Sequence, residues 1–346
     1  MKTLILKPSS LGDVIQALPV LRLLKQHNAS NEIFWWLSSD LVPLLEDDPD
    51  LAGILPFDRR RWAYPRGWRR NLDSIREMRA HRFDWVIDLQ SLARSGLFAW
   101  LANGRLTIGL DDAREGARGF YDLIVPRPSF FTHAVDWYLE VLRKLSVPVH
   151  WNFDWMPLRP KTASTVRKKW PCDRARWILL HPGARWPTKR WPVEYYQKLV
   201  HLLTSSYPDL DVAVLGTREE ASLGSTITQT DPQRCLDLTG QTSLPEMIEW
   251  IRQSEILICN DTGPMHMAAA LGKPVVAILG PTEARRTGPY GQIDHVIRVD
   301  LPCAPCFRSN CANPNRLQCL REISATDVFA RVRRNFVETR SVAPVL

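Results

Sequence analysis

The stretch "ICNDTGPMHMAAALGKPVVAILGPTE", residues 258 to 283, holds the change of period on which the fold turns. Its start completes an apolar run ending at Asn260 and Asp261, and "PVVAILG" is a second one; both have strand length. Between them Thr262 and Gly263 turn the chain. A helix of small residues then starts near Pro264, in a first turn where the missing proline N–H costs nothing. Ala268, Ala269 and Ala270 let that helix lie close to a sheet. Its free N–H groups and the positive end of its dipole suit a phosphate. His266 falls in the same turn, either as an ordinary packed histidine or as a group facing a ligand crevice.

The strand–loop–helix unit recurs outward from this stretch. "WILLHPG" and "DVAVLGT" precede it, and "TLILK", "EIFWWLS", "WVIDLQ" and "RLTIGL" form a comparable series in the first half. From Val147 the chain turns proline-rich and irregular in "VPVHWNFDWMPLRPKTAS", a linker between the two series. The expected class is α/β, with two doubly wound domains, residues 1–158 and 159–346, facing each other across a cleft. The C-terminal helix belongs to the second, with the option of packing back on the first.

Loops leaving the carboxyl ends of strands line the ligand crevice of such sheets. Lys189 and Arg190, in "LLHPGARWPTKRWPVEYY", stand just before a helix start and form either a second phosphate site or a charged loop edge. Glu219 and Glu220, in "VAVLGTREEASL", follow a strand end; they can take ribose hydroxyls or complement a helix dipole. In "LILKPSSLGDVIQALPVLRLLK", from Leu4, the single carboxylate Asp13 sits where loop becomes helix. Taken alone it reads first as a helix cap and only second as a catalytic base.

Composition limits the rest. Of 346 residues, 45% are apolar and 24% charged, which suits a globular chain with ample core. The apolar stretches are too short for a membrane span and the start lacks a leader, so a cytoplasmic location is expected. The net charge of +8 and pI near 9.2 point to an anionic partner. "RRRWAYPRGWRR", with Arg59, Arg60 and Arg61 at its head, packs six arginines and three aromatics into twelve residues without an acid. Binding to nucleic acid, anionic headgroups or a phosphorylated glycan is favoured there over a solvated loop. Dinucleotide and P-loop glycine motifs are missing. "EDDPDL" contains an Asp-x-Asp, but in a Pro-containing turn that reads as solvated. Cys303, Cys306, Cys311 and Cys319 have a C-x2-C-x4-C-x7-C spacing; free thiols are the simpler reading, a structural zinc the alternative.

Taken together, "LILKPSSLGDVIQALPVL", "VIDLQSLARSGL", "HPGARWPTKRWP" and "NDTGPMHMAAALGKPVVAILGPT" resemble the bacterial ADP-heptose:lipopolysaccharide heptosyltransferases, glycosyltransferase family 9. "VIDLQSLARSG" and "DDAREGARGFYD" look closer to the heptosyltransferase I branch than to heptosyltransferase II. The resemblance implies a GT-B fold and an inverting, metal-independent transfer that needs no cofactor. It implies an ADP-sugar donor and a lipopolysaccharide inner-core acceptor at the membrane surface, with no nucleic-acid partner and peripheral attachment to the inner membrane. It places Asp13 as general base, Lys189 on the donor diphosphate, and Asp261, Thr262, Gly263 and His266 in the donor loop. Glu220, or else Glu219, takes the ribose position, and Thr242 aligns with a donor-contact position that is methionine in some members. Gly183-Ala184 replaces a donor-contacting threonine pair and leaves backbone N–H groups for that work. Arg59, Arg60 and Arg61 are then candidates for the acceptor's phosphates and carboxylates. Two other readings stay open: a family member using another nucleotide sugar or acceptor, and a nucleotide- or RNA-binding protein using the arginine–tryptophan patch.

Overall fold

Strands covered on both faces by helices can be apolar throughout, and eight runs of this kind form the interior of two parallel sheets. The computed structural model describes residues 1–58, 68–112 and 115–341. Arg59, Arg60 and Arg61 lie outside the described residues. The chain divides into two compact units, Met1–Pro157 and Leu158–Leu346.

In the first unit the strands are β1 (Lys2–Leu6), β2 (Glu32–Ser38), β3 (Gly53–Phe57), β4 (Trp85–Asp88), β5 (Leu106–Leu110) and β6 (Leu123–Val125). They pair in the order β3-β2-β1-β4-β5-β6, every pair parallel. In the second unit they are β7 (Arg176–His181), β8 (Leu210–Val214), β9 (Cys235–Asp237), β10 (Ile256–Asn260), β11 (Val275–Ile278) and β12 (Val296–Ile297). Their order is β12-β11-β10-β7-β8-β9, again all parallel. Parallel pairing brings every strand's carboxyl end to one edge of its sheet, which is why the candidate loops of each unit gather there.

Each unit has its own core. In the first, Trp36 packs against Phe57 and Phe98, with ring centroids 4.4 and 4.7 Å apart. In the second, Ile178, Val212, Ile258 and Val276 meet Tyr196, Leu199 and Leu203 of the Val193–Ser206 helix. The C-terminal helix, Ala325–Ser341, puts Val328 and Val332 into this second core.

One sequence expectation holds only in part here. "EDDPDL" is a turn with Glu46, Asp47 and Pro49 exposed, but Asp48 is 5% exposed and takes both terminal nitrogens of Arg22 at 2.6 Å. Asp50 adds a third contact at 2.7 Å, and the guanidinium also donates to the Trp155 carbonyl. The pattern misled because Arg22 sits inside an apolar helix run, where its charge must be matched by carboxylates brought from elsewhere.

Candidate active site

The second unit's loops build a tight polar cluster. At the end of β10 the Asp261 carboxylate, almost fully buried, lies 2.6 Å from the Lys189 ammonium and accepts the Thr282 hydroxyl at 2.6 Å. Lys189 closes a 3-10 turn, Pro187–Lys189, in the loop after β7, and its ammonium stands 4.9 Å from the Trp186 ring centre. Neighbouring Asn260 locks the two loops together. Its amide donates to the Pro182 carbonyl at 2.7 Å, and its oxygen accepts the Trp191 N–H at 3.1 Å and the Tyr196 hydroxyl at 3.3 Å.

Thr262 caps the Gly263–Ala270 helix, and its hydroxyl is buried without a hydrogen-bond partner. A buried polar atom left unpaired is costly and calls for explanation. The hydroxyl lies beside the helix's free N–H groups, next to the Lys189–Asp261 pair, so a bound anion would satisfy it. His266, in the first turn of the same helix, is 9% exposed. His181, at the end of β7, is held below the usual histidine range by burial.

Glu220 and Glu219 part company. The Glu220 carboxylate accepts the Thr217 N–H at 2.8 Å and lies directly over Gly183, where an added Cβ would sit 1.8 Å from its Oε1. A side chain at position 183 would have to displace this carboxylate. Glu219 is exposed, and its carboxyl is held low by its own backbone N–H and the Thr217 hydroxyl, the behaviour of a helix-terminal acid. Thr242 lies half-buried in the loop before the Leu244–Gln253 helix and is no part of the hydrogen-bonded cluster around Asp261.

In the first unit, Asp13 is half-buried in the first turn of the Leu11–His27 helix. One carboxylate oxygen accepts both the Ser10 N–H at 2.9 Å and the Ser10 hydroxyl at 2.6 Å. It therefore does act at the helix start. Sequence reading passed over what lies beneath it. Lys7, 4% exposed, donates to the Leu89 carbonyl at 2.9 Å and sits 5.0 Å from the Tyr138 ring centre. Burial works against its charge, but Tyr138, Asp13 and Asp88 together outweigh this and raise its pKa, so the ammonium and the Asp13 carboxylate attract each other. Asp88 itself is fully buried, accepting N–H groups of Gln90 and Ser91 and the Tyr121 hydroxyl, with its carboxyl pushed up by burial. A lysine at the end of an otherwise apolar strand was the available signal.

None of the four cysteines is in a disulfide. Cys311 accepts the Leu317 N–H at 3.3 Å and is lowered by it, while Cys319 is pushed up to about 11 by burial and by the other three sulfurs. Among the described residues, no group of three or more His, Cys, Asp or Glu side chains is placed to hold a metal ion. Nor is any described helix long and apolar enough to cross a membrane.

Residues 72–316 match the model of glycosyltransferase family 9 (heptosyltransferase). The chain belongs to this family. It is 28% identical over 326 residues to lipopolysaccharide heptosyltransferase 1 of Pseudomonas aeruginosa, covering 90% of this chain and 87% of the relative. It is 29% identical over 317 residues to lipopolysaccharide heptosyltransferase 2 of Salmonella typhimurium, covering 86% and 88%. Relatives of both kinds thus match to the same degree. The structure of E. coli ADP-heptose lps heptosyltransferase II superposes with a TM-score of 0.77 at 22% identity, over 98% of this chain and all of that one, which establishes the fold. The two parallel sheets are those of a GT-B glycosyltransferase.

Within that family frame, the second unit brings Lys189, Asp261 and Thr262 together and adds Thr282, which carried no sequence signal of its own. Asp261 is engaged with Lys189 and Thr282 rather than open.

Proposed function

We propose that the chain transfers heptose from ADP-heptose to the Kdo–lipid A inner core of lipopolysaccharide, inverting the anomeric carbon without a metal. The observation that carries this reading is the unpartnered Thr262 hydroxyl at a helix N-terminus beside the Lys189–Asp261 pair. That arrangement suits the diphosphate of a nucleotide sugar: the N–H groups, the hydroxyl and the ammonium all favour negative charge. Glu220, over Gly183, is the ribose group. The names of the relatives, which are lipopolysaccharide heptosyltransferases, support the same substrates.

In this mechanism the departing ADP shields one face of the anomeric carbon, so the acceptor hydroxyl attacks the other. Asp13 removes its proton as the bond forms, while Lys189 and the helix terminus take up the charge developing on ADP. Lys7 favours the ionised form of Asp13. Replacing Lys7 by Met is therefore expected to move the acidic limb of the rate profile to higher pH. An unmoved limb would remove Lys7 from this role.

Mass spectrometry of products formed from ADP-heptose and Kdo–lipid A tests the whole reading, and absence of the heptosylated product would sink it. Since cationic groups of the chain neutralise the leaving group, EDTA is expected to leave the rate intact. A loss restored by magnesium would contradict that, and near-stoichiometric zinc in chelator-free protein would assign the cysteines to a metal.

A further inference from the structure

Two hydrogen bonds tie the loops on either side of Asp261 to the cysteine-bearing segment. The hydroxyl of Thr188, one residue before Lys189, donates to the Arg308 carbonyl at 2.8 Å. The Phe307 N–H donates to the carbonyl of Pro281, one residue before Thr282, also at 2.8 Å. Lys189 and Thr282 are the two partners of the Asp261 carboxylate. Two consecutive residues, Phe307 and Arg308, therefore hold the chain next to each of those partners.

Both ties are built in. Thr188 is 4% exposed, so its hydroxyl has left water for this one carbonyl. Phe307 has a φ of 54°, a left-handed conformation that a bulky residue keeps only where its surroundings hold it. The Arg286 guanidinium, from the helix that follows Thr282, stands 6.0 Å from the Phe307 ring centre and ties the same loop a second time. The segment is also fastened to itself and to the sheet. The Asn313 amide donates to the Cys303 sulfur at 3.4 Å, and the Leu317 N–H to the Cys311 sulfur at 3.3 Å. At the far end Cys319 lies against Gly280, where an added Cβ would sit 2.9 Å from its sulfur, and Leu320 is fully buried in the second core.

An ammonium that takes up the charge of a diphosphate is only as effective as its placement, which the groups behind it decide. We propose that residues 303–319 form a strap that sets the donor site, and that Thr188 is the positioning residue through which the strap fixes Lys189. The cysteines then serve the fold of the strap, two of them as hydrogen-bond acceptors. The inference rests on the reading of Lys189 as a diphosphate ligand.

Titration calorimetry with ADP, well below the melting transition, tests it on the natural chain, Thr188→Val, Lys189→Ala and the double variant. Valine keeps the shape of threonine and removes the hydroxyl. Thr188→Val should weaken ADP binding about three- to tenfold, the size of one lost hydrogen bond. It should cost nothing further once Lys189 is alanine, because a residue that acts through the lysine has nothing left to position. Unchanged affinity in the single variant, or the same loss in both backgrounds, would overturn the positioning role. Thr188→Ser restores the hydroxyl and should recover most of the affinity; a serine variant as weak as the valine one would also overturn it. Hydrogen exchange without ligand gives an independent readout. The peptide of residues 304–312, which contains the Phe307 amide, should exchange faster in Thr188→Val, and an equal rate would overturn the strap. A natural chain that does not bind ADP, or binds it equally well without Lys189, would instead overturn the donor reading. The exchange rate would still decide whether the strap holds the Lys189 loop.

Discussion

Asp13→Asn is expected to lower turnover by a factor of ~10² or more, the usual size of general-base catalysis, and to leave the fold and ADP affinity intact. The substitution separates the two roles the sequence left open. Asparagine keeps a side-chain oxygen where the carboxylate accepts the Ser10 N–H and hydroxyl, so the helix start remains capped. It removes only the ability to take up a proton. ADP affinity is unaffected because its proposed contacts, Lys189, Glu220 and Thr262, all belong to the second unit. Steady-state rates with saturating donor, a melting curve and ADP titration decide it. Near-normal turnover would return Asp13 to the role of a cap alone. An equal fall in melting temperature would show that the loss is structural.

The interior of both sheets was legible and the edges were not. "TLILK", "EIFWWLS", "WVIDLQ" and "RLTIGL" overlap β1, β2, β4 and β5; "WILLHPG", "DVAVLGT", "ILICNDTG" and "PVVAILG" overlap β7, β8, β10 and β11. These strands are covered on both faces, so they stand out as apolar runs. The unread β3, β6, β9 and β12 are the four edge strands. Three of them have two or three residues, and β3 contains Pro56, which an edge tolerates and an interior strand does not. Likewise, the site residues in glycine- and proline-punctuated loops were visible, while partners that arrive from distant loops were not. Thr282 on Asp261 and Asp48 on Arg22 are contacts that no local period records, and the attraction between Lys7 and Asp13 is no more visible there. The Glu220–Gly183 contact is of the same kind: the fold brings a carboxylate into the space beside a glycine, which no local pattern records.

Lys189→Ala is expected to weaken ADP-sugar binding by a charge-assisted contact worth about 1.5–3 kcal/mol, and to slow transfer as well. The structure adds a complication that the test must resolve. Lys189 is also the partner of Asp261, 2.6 Å away, and Asp261 is nearly buried, with Thr282 as its other partner. Removing the lysine strands that carboxylate, and losing one partner of a buried pair costs about 3–5 kcal/mol where burial is complete, less at the 19% exposure of this lysine. A lower melting temperature is therefore expected whatever the lysine does for the donor. Two further variants separate the effects. Asp261→Asn removes the stranded charge, so the Lys189→Ala/Asp261→Asn double variant should recover stability but not donor affinity. Lys189→Arg keeps the charge and should recover stability with only part of the transfer rate, because a planar guanidinium cannot place one ammonium's worth of charge at the same point. Donor affinity and turnover that stay normal in the stabilised double variant would leave Lys189 a structural partner of Asp261 and move the diphosphate to the helix terminus alone.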